Sequence, residues 1–242
     1  MSKPLLFLID GTYQIYRAYH AFRGQGLSNQ EGQATHAVYG FVTMLRKLVR
    51  DQKPTHIAAS FDLEGPTFRD EIVDDYKANR EDMPDDLVEQ IEWVYEACEA
   101  MGVPIVTAKG YEADDVLGTL SRIASLQGVR VVIVTGDRDL LQLVDEQVLV
   151  SLPGRSLSDA QLYGPREVVH KYGVTPRQFV DFKALVGDKS DNIPGVAGVG
   201  EKTAKMLLQQ HMTLEGIYAS LPQIPSGFRK KLVAGKEKAF LS

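Results

Sequence analysis

The chain has a single cysteine, Cys98, so no internal disulfide is available to it and a reducing compartment is implied. Cys98 itself reads as a small buried hydrophobe on a helix. No apolar run approaches the length of a membrane span, and the start, Met1 to Pro4 followed by an apolar strand, does not have the form of a signal peptide. Only 5 histidines are present and none has zinc-ligand spacing, which argues against a zinc hydrolase. A nucleophile elbow around a serine is missing, as is a G-x-x-x-x-G-K-[ST] phosphate loop. Serine-based acyl transfer and nucleoside triphosphate hydrolysis are therefore disfavoured. There is no repeat of fixed period and no low-complexity tract.

What is present is the balance of a globular protein, with 44% hydrophobic and 24% charged residues over 242 positions. That length suits one large domain, or a main domain with a smaller lobe. The net charge of −5 argues at first against a phosphate-binding role. Its distribution reverses the argument. From Asp159 onward there are 12 Lys+Arg against 8 Asp+Glu, whereas the first 158 residues hold 15 against 24. An acidic half followed by a basic half suits a protein that binds cations in one place and phosphates in another.

Leu5 to Ile9 is a continuous apolar run ending at Asp10-Gly11, as expected of a strand buried on both faces. Similar runs cover His56 to Phe61, ending at Asp62; Val103 to Thr107; and Val129 to Thr135, ending at Gly136-Asp137. Helical patterns lie between them over 34–50, 85–101 and 112–127, so the spacing predicts an α/β fold with a mostly parallel central sheet flanked by helices. After about residue 158 the strands are expected to stop. Short helices punctuated by Pro and Gly follow at 165–172, 176–186, 200–210 and 214–221. The expected domains are thus 1–158 and 159–242.

Three of the four apolar runs deliver an aspartate at the strand's C-terminal end, where open α/β sheets place their sites. The acids concerned are Asp10, Asp62, Glu112, Asp114, Asp115, Asp137 and Asp139, with Asp188 and Asp191 further on. Individually each has an ordinary explanation. Three acids at 112–115 suit a helix N-terminus, and Asp137 and Asp139 suit a turn with a cap. Together, so many convergent anions would repel unless cations lay between them. All-oxygen ligands point to Mg²⁺ or Mn²⁺ rather than Zn²⁺. Two such ions roughly 4 Å apart can activate water and stabilise the leaving oxygen of a phosphodiester.

Gly195, Gly198 and Gly200, with valines between them, form a tight hairpin opening a helix at about Glu201. Glycine allows the backbone to approach a phosphate and to offer N–H groups from a helix N-terminus. Lys202, Thr203 and Lys205 follow, which is the helix–hairpin–helix pattern of sequence-independent duplex binders. Residues 65–86 are too long for an ordinary connection and interleave Phe68 and Tyr76 with Arg69, Lys77 and Arg80, a mixture suited to a flexible single strand. A solvated charged loop is the competing reading, because eight acids share that stretch. Tyr16, Arg17 and Tyr19 after the first aspartate read equally as helix packing or as a substrate contact.

The segments LIDGTYQIYRAYHAF, FD, TFRDEIVDDYKANR, MPDDL, GYEADDVLGTL, VTGDRDLLQLV and VGDKSDNIPGVAGVGEKTA resemble, in order and over nearly the whole chain, the 5′–3′ exonuclease and flap endonuclease family. The family includes the 5′-nuclease domain of bacterial DNA polymerase I and its stand-alone relatives. The resemblance implies a PIN-like sheet, a helical arch over the site at about 65–86, and a helix–three-turn–helix element that grips duplex DNA with the help of K⁺. By position, Asp10, Asp62, Glu112, Asp114 and Asp115 match the family's first metal cluster, and Asp137, Asp139, Asp188 and Asp191 its second. Arg69, Tyr76, Lys77 and Arg80 fall on the arch, with Lys77 polarising the scissile phosphate, and Arg17 matches a basic residue beside the site. Relatives commonly continue beyond the position of Ser242, so a closing segment is expected to be absent and the chain to be stand-alone or excised.

The sequence-based expectation is therefore a two-metal 5′ nuclease acting on DNA ends, flaps or nicks, monomeric and cytoplasmic, with no membrane contact. Asp10, Asp115, Lys77 and Arg80 are its expected catalytic residues. A PIN-type ribonuclease and a non-catalytic DNA-binding paralogue are the alternatives.

Overall fold

The computed structural model describes residues 4–73, 75–154 and 160–241. It divides into two units. The first comprises residues up to Phe68, Asp82–Leu140 and Val144–Gly164; the second comprises Arg69–Glu81, Leu141–Leu143 and Pro165 onward. The 158/159 boundary read from the sequence lies outside the described residues.

The first unit is built on β1 (Leu5–Asp10), β2 (His56–Ser60), β3 (Arg130–Val134), β4 (Val148–Leu152) and β5 (Gln161–Tyr163), in the spatial order β2-β1-β3-β4-β5. The pairs β2-β1, β1-β3 and β3-β4 are parallel, and β5 runs antiparallel at the edge. In-register pairing of Ile9 with both Ala59 and Val134 aligns the C-terminal ends of the three strands that lead to acids. Alternation along β1 sends Phe7 and Ile9 to one face and Leu8 to the other, and all three are buried. Phe7, Ile9 and Val132 join a cluster with Ile15 and Tyr19 of α1 (Gly11–Phe22), Phe41 and Leu45 of α2 (His36–Gln52), and Leu87, Val94 and Cys98 of α4 (Asp85–Ala100). The opposite face is covered by α5 (Ala113–Leu126), which contacts β1 and β3. Helices on both faces explain why these strands read as unbroken apolar runs rather than alternating ones.

The structure corrects the strand assignments at three points. Residues 103–107 form no strand; Ile105 makes a single parallel bridge with Ala59, because Pro104 interrupts the donor ladder. Two further strands are present. β4 follows a short excursion, its ends buried in the sheet, and β5 extends the strands beyond residue 158 to Tyr163. A three-residue edge strand is too short for periodicity to reveal.

The second unit is helical: α6 (Pro165–Tyr172), α7 (Phe179–Val186), α8 (Glu201–His211), α9 (Leu214–Ala219), α10 (Ser226–Ala234) and α11 (Lys236–Leu241). A short helix, α3 (Phe68–Ile72), opens the excursion at 65–86. Among the described residues no helix is long and apolar enough to cross a membrane.

Candidate active site

Asp10 is the last residue of β1 and also the N-cap of α1, its Oδ1 accepting from the N–H of Tyr13 at 2.9 Å. Its Oδ2 accepts from the hydroxyl of Thr135, just past β3, at 2.5 Å. Thr135 Oγ1 in turn accepts from the N–H of Asp137 at 2.9 Å, and Asp137 Oδ1 accepts from the N–H of Asp139 at 2.7 Å. One hydroxyl therefore orients two acids from two different strand ends. Asp10 is 5% exposed, and burial pushes its carboxyl up to about 6 against the opposing effect of the Thr135 and Tyr13 hydrogen bonds. The negative charges of Asp62 and Asp137 push it the same way as burial, so both lie within electrostatic reach.

The other acids of the first unit are held by backbone contacts. The Asp62 N–H donates to Thr12 Oγ1 at 2.8 Å, and Asp62 Oδ1 accepts from the N–H of Ala113 at 2.7 Å, tying the end of β2 to the start of α5. Asp115 Oδ2 accepts from the N–H of Glu112 at 3.0 Å. The helix-end role for acids at 112–115 is thus realised, in the same turn that receives Asp62. Gly136 lets this arrangement close: a Cβ there would lie 2.0 Å from the Tyr13 ring.

The donor set suits a hard divalent cation. It is oxygen-only, and its central carboxylate is buried and crowded by further anions. Beside it in register sits Ser60, fully buried, whose Oγ has no hydrogen-bond partner among the described residues. A buried hydroxyl left unsatisfied next to a buried carboxylate is costly unless something else completes the site.

Thr12, Ser60 and Thr135 were not singled out from the sequence. Thr135 had a signal, since it sits in the same strand-end turn as Asp137 and Asp139. Thr135→Val is expected to destabilise the protein by roughly 1–3 kcal/mol, because it strands both the Asp10 carboxylate and the Asp137 N–H. Chemical denaturation of the two proteins at pH 7 measures this.

In the second unit, residues 188–193 form a turn closed at both ends, Asp188 and Ile193 exchanging N–H···O bonds of 2.8 and 2.7 Å. Asp188 pairs with Lys183 of α7 and accepts from the Ser190 hydroxyl and N–H. Burial raises the carboxyl, but these contacts outweigh it and hold Asp188 below the usual carboxylate range. Asp191 Oδ1 accepts from Arg80 Nη2 at 2.6 Å. The Lys77 N–H also donates to the Asp191 carbonyl, so Lys77 and Arg80 come together with Asp191, and the Lys77 ammonium lies 5.0 Å from the Tyr76 ring centre. Arg69 belongs to the same unit, whereas Arg17 lies in the first, where its charge acts on Tyr13.

The three hairpin glycines separate into two kinds. Gly195 is buried against Gly187, whereas Gly198 and Gly200 are exposed, as is Lys202. Val196 and Val199 between them are buried and anchor the loop. Thr203 is half-buried in the first turn of α8, where its N–H donates to the Gly200 carbonyl. Lys205 pairs with Glu201 at 3.2 Å and lies over the Phe182 ring at 5.7 Å, so part of its role is packing.

Two family descriptions cover the described structure from end to end. Residues 5–173 match the 5′-3′ exonuclease N-terminal resolvase-like domain, and residues 174–242 the 5′-3′ exonuclease C-terminal SAM fold. The DNA polymerase I of Caldicellulosiruptor bescii is 45% identical over 239 residues, covering 98% of this chain and 28% of that protein. That of Streptococcus pneumoniae R6 is 42% identical over 245 residues, covering 100% and 28%. The chain thus spans about a quarter of the length of these relatives. In fold it is similar to a bacteriophage T5 flap endonuclease solved with DNA and metal ions, with a TM-score of 0.79 at 24% identity over 98% of this chain and 86% of that one. It is also similar to flap endonuclease-1 of Methanococcus jannaschii, with a TM-score of 0.58 at 18% identity over 96% and 78%. With its acids gathered at parallel strand ends and a glycine hairpin opening α8, the chain belongs to the 5′–3′ exonuclease family.

Proposed function

We propose that this chain is a structure-specific nuclease that hydrolyses DNA phosphodiesters at 5′ ends, nicks and 5′ flaps, using two divalent cations, Mg²⁺ or Mn²⁺. The observation that carries this reading is the buried Asp10 carboxylate, flanked by Asp62 and Asp137 at neighbouring strand ends. Family membership and the relatives with DNA and metal ions support it.

Asp10, Asp62, Glu112, Asp114 and Asp115 would hold one cation. Bound divalent cations supply charge neutralisation and a readily deprotonated water for phosphodiester hydrolysis. Thr135 keeps Asp10 pointed inward, and its hydrogen bond fixes the carboxylate before any ligand arrives. The exposed backbone at Gly198 and Gly200, at the start of α8, offers N–H groups to duplex phosphates, and Lys202 adds charge. A K⁺ ion would assist there. Lys77 and Arg80 would supply cationic groups for a substrate phosphate, and Tyr76 a ring for stacking a splayed base. Action as a cytoplasmic monomer belongs to the same proposal.

The test uses end-labelled 5′-flap, nicked and blunt DNA duplexes, with single-stranded RNA alongside, with and without Mg²⁺. Cleavage of the flap near its junction, abolished by EDTA and by Asp115→Asn, is expected. Preferential RNA cleavage, or flap cleavage surviving in EDTA, would overturn the assignment.

A further inference from the structure

None of the described residues in Arg69–Glu81 is buried, and hydrogen bonds to one turn contribute to holding the segment. The Asn79 side-chain amide donates to the Lys189 carbonyl at 2.8 Å, and the Asn192 amide donates to the Asp75 carbonyl at 2.9 Å. Each asparagine thus grips the backbone of the other's segment across more than a hundred residues of sequence. Between the two grips, the Lys77 N–H donates to the Asp191 carbonyl at 3.3 Å. Asn192 holds a left-handed backbone, φ 60°, a conformation that asparagine tolerates better than most residues.

The Arg80–Asp191 ion pair lies at the same place but is a different kind of contact, since the arginine is half-exposed. Exposed ion pairs are weak and screened by salt. A guanidinium so placed can exchange its carboxylate for a substrate phosphate. The amide bonds are neutral and carry no charge that a phosphate would compete for. They can therefore hold the segment while Arg80 changes partner.

We propose that Asn79 and Asn192 are positioning residues, a reciprocal amide clasp that fixes Tyr76–Arg80 on the 188–192 turn. The clasp presents Lys77 and Arg80 to the 5′ strand in a preset geometry. This rests on the 5′-nuclease reading for its catalytic consequence, but not for the clasp itself.

The experiment compares the full chain with Asn79→Ala, Asn192→Gly and the double variant. Glycine keeps the left-handed backbone available at 192, so only the amide is lost. Limited trypsin digestion without substrate reads the clasp directly, through cleavage after Lys77 and Arg80. In the double variant this cleavage is expected to accelerate about 10-fold, with global melting unchanged. Single-turnover flap cleavage is expected to slow about 10-fold, while affinity for a blunt duplex stays within about twofold of wild type. Unchanged protease protection overturns the clasp, and so does a rate loss matched by an equal loss of duplex affinity. If the wild-type chain cleaves no flap, the nuclease reading fails, and the trypsin result still decides the clasp.

Discussion

Asp10→Asn is expected to abolish flap cleavage, by about 1000-fold or more, and at the same time to stabilise the metal-free protein at neutral pH. The two effects share one cause. The folded protein raises the Asp10 carboxyl from 3.8 to about 6 by burying it beside Asp62 and Asp137. The native state therefore holds this proton more tightly than the unfolded chain does, and stability falls as pH rises from about 4 through 6. Above that window the full penalty applies, of order 3 kcal/mol for the difference between 3.8 and about 6. Asparagine cannot ionise and escapes it. Denaturation in EDTA from pH 4 to 8 should show the two proteins converging near pH 4 and the variant leading at pH 7. Mg²⁺ should restore stability to the wild type and do little for the variant. A wild type as stable as the variant at pH 7 without metal would show that Asp10 carries no such strain.

Gly195→Ala should be among the most damaging single changes in the second unit. Gly195 has φ +60°, and an added Cβ would lie 2.3 Å from the backbone nitrogen of Gly187 and 2.6 Å from the carbonyl carbon of Val186. Backbone stands on both sides, so no side-chain rotation relieves the clash. Left-handed strain and overpacking together cost roughly 3–5 kcal/mol. The neighbouring Val196 is buried, and its N–H donates to the Leu185 carbonyl, so the hairpin should lose its seat on α7 and duplex affinity should fall with it. Gly200→Ala is the control: its Cβ would meet open space, and its stability should stay within about 0.5 kcal/mol of wild type. Equal tolerance of both substitutions, in urea denaturation and duplex binding, would remove the distinction between the buried and exposed glycines.

Much of this protein was legible in one dimension because its signals are local. Unbroken apolar runs mark strands covered on both faces, and Asp10, Asp62 and Asp137 follow directly from where those runs end. The segments around α2, α4 and α5 carry helical periodicity strong enough to place their ends within two residues. The glycine-valine alternation before α8 announces a tight hairpin. None of these needs knowledge of a distant partner.

What the sequence left open depends on distant partners. Val103 to Thr107 has the composition of a strand, yet Pro104 leaves it only a bridge to Ala59. Gly195, Gly198 and Gly200 look alike in the sequence, and only the fold shows that the first is buried against Gly187 while the others face solvent. Thr135 becomes important because the sheet places it 2.5 Å from an aspartate 125 positions earlier. The Asn79 amide reaches the Lys189 carbonyl and the Asn192 amide the Asp75 carbonyl, each across 110 residues or more. The amino-acid order by itself determined which groups the proposed chemistry draws on, acids at strand ends and a glycine hairpin that opens a helix. Tertiary structure alone decided which hydroxyls and amides hold those groups in place, because hydrogen-bond partners are chosen by proximity in space and leave no period in the sequence.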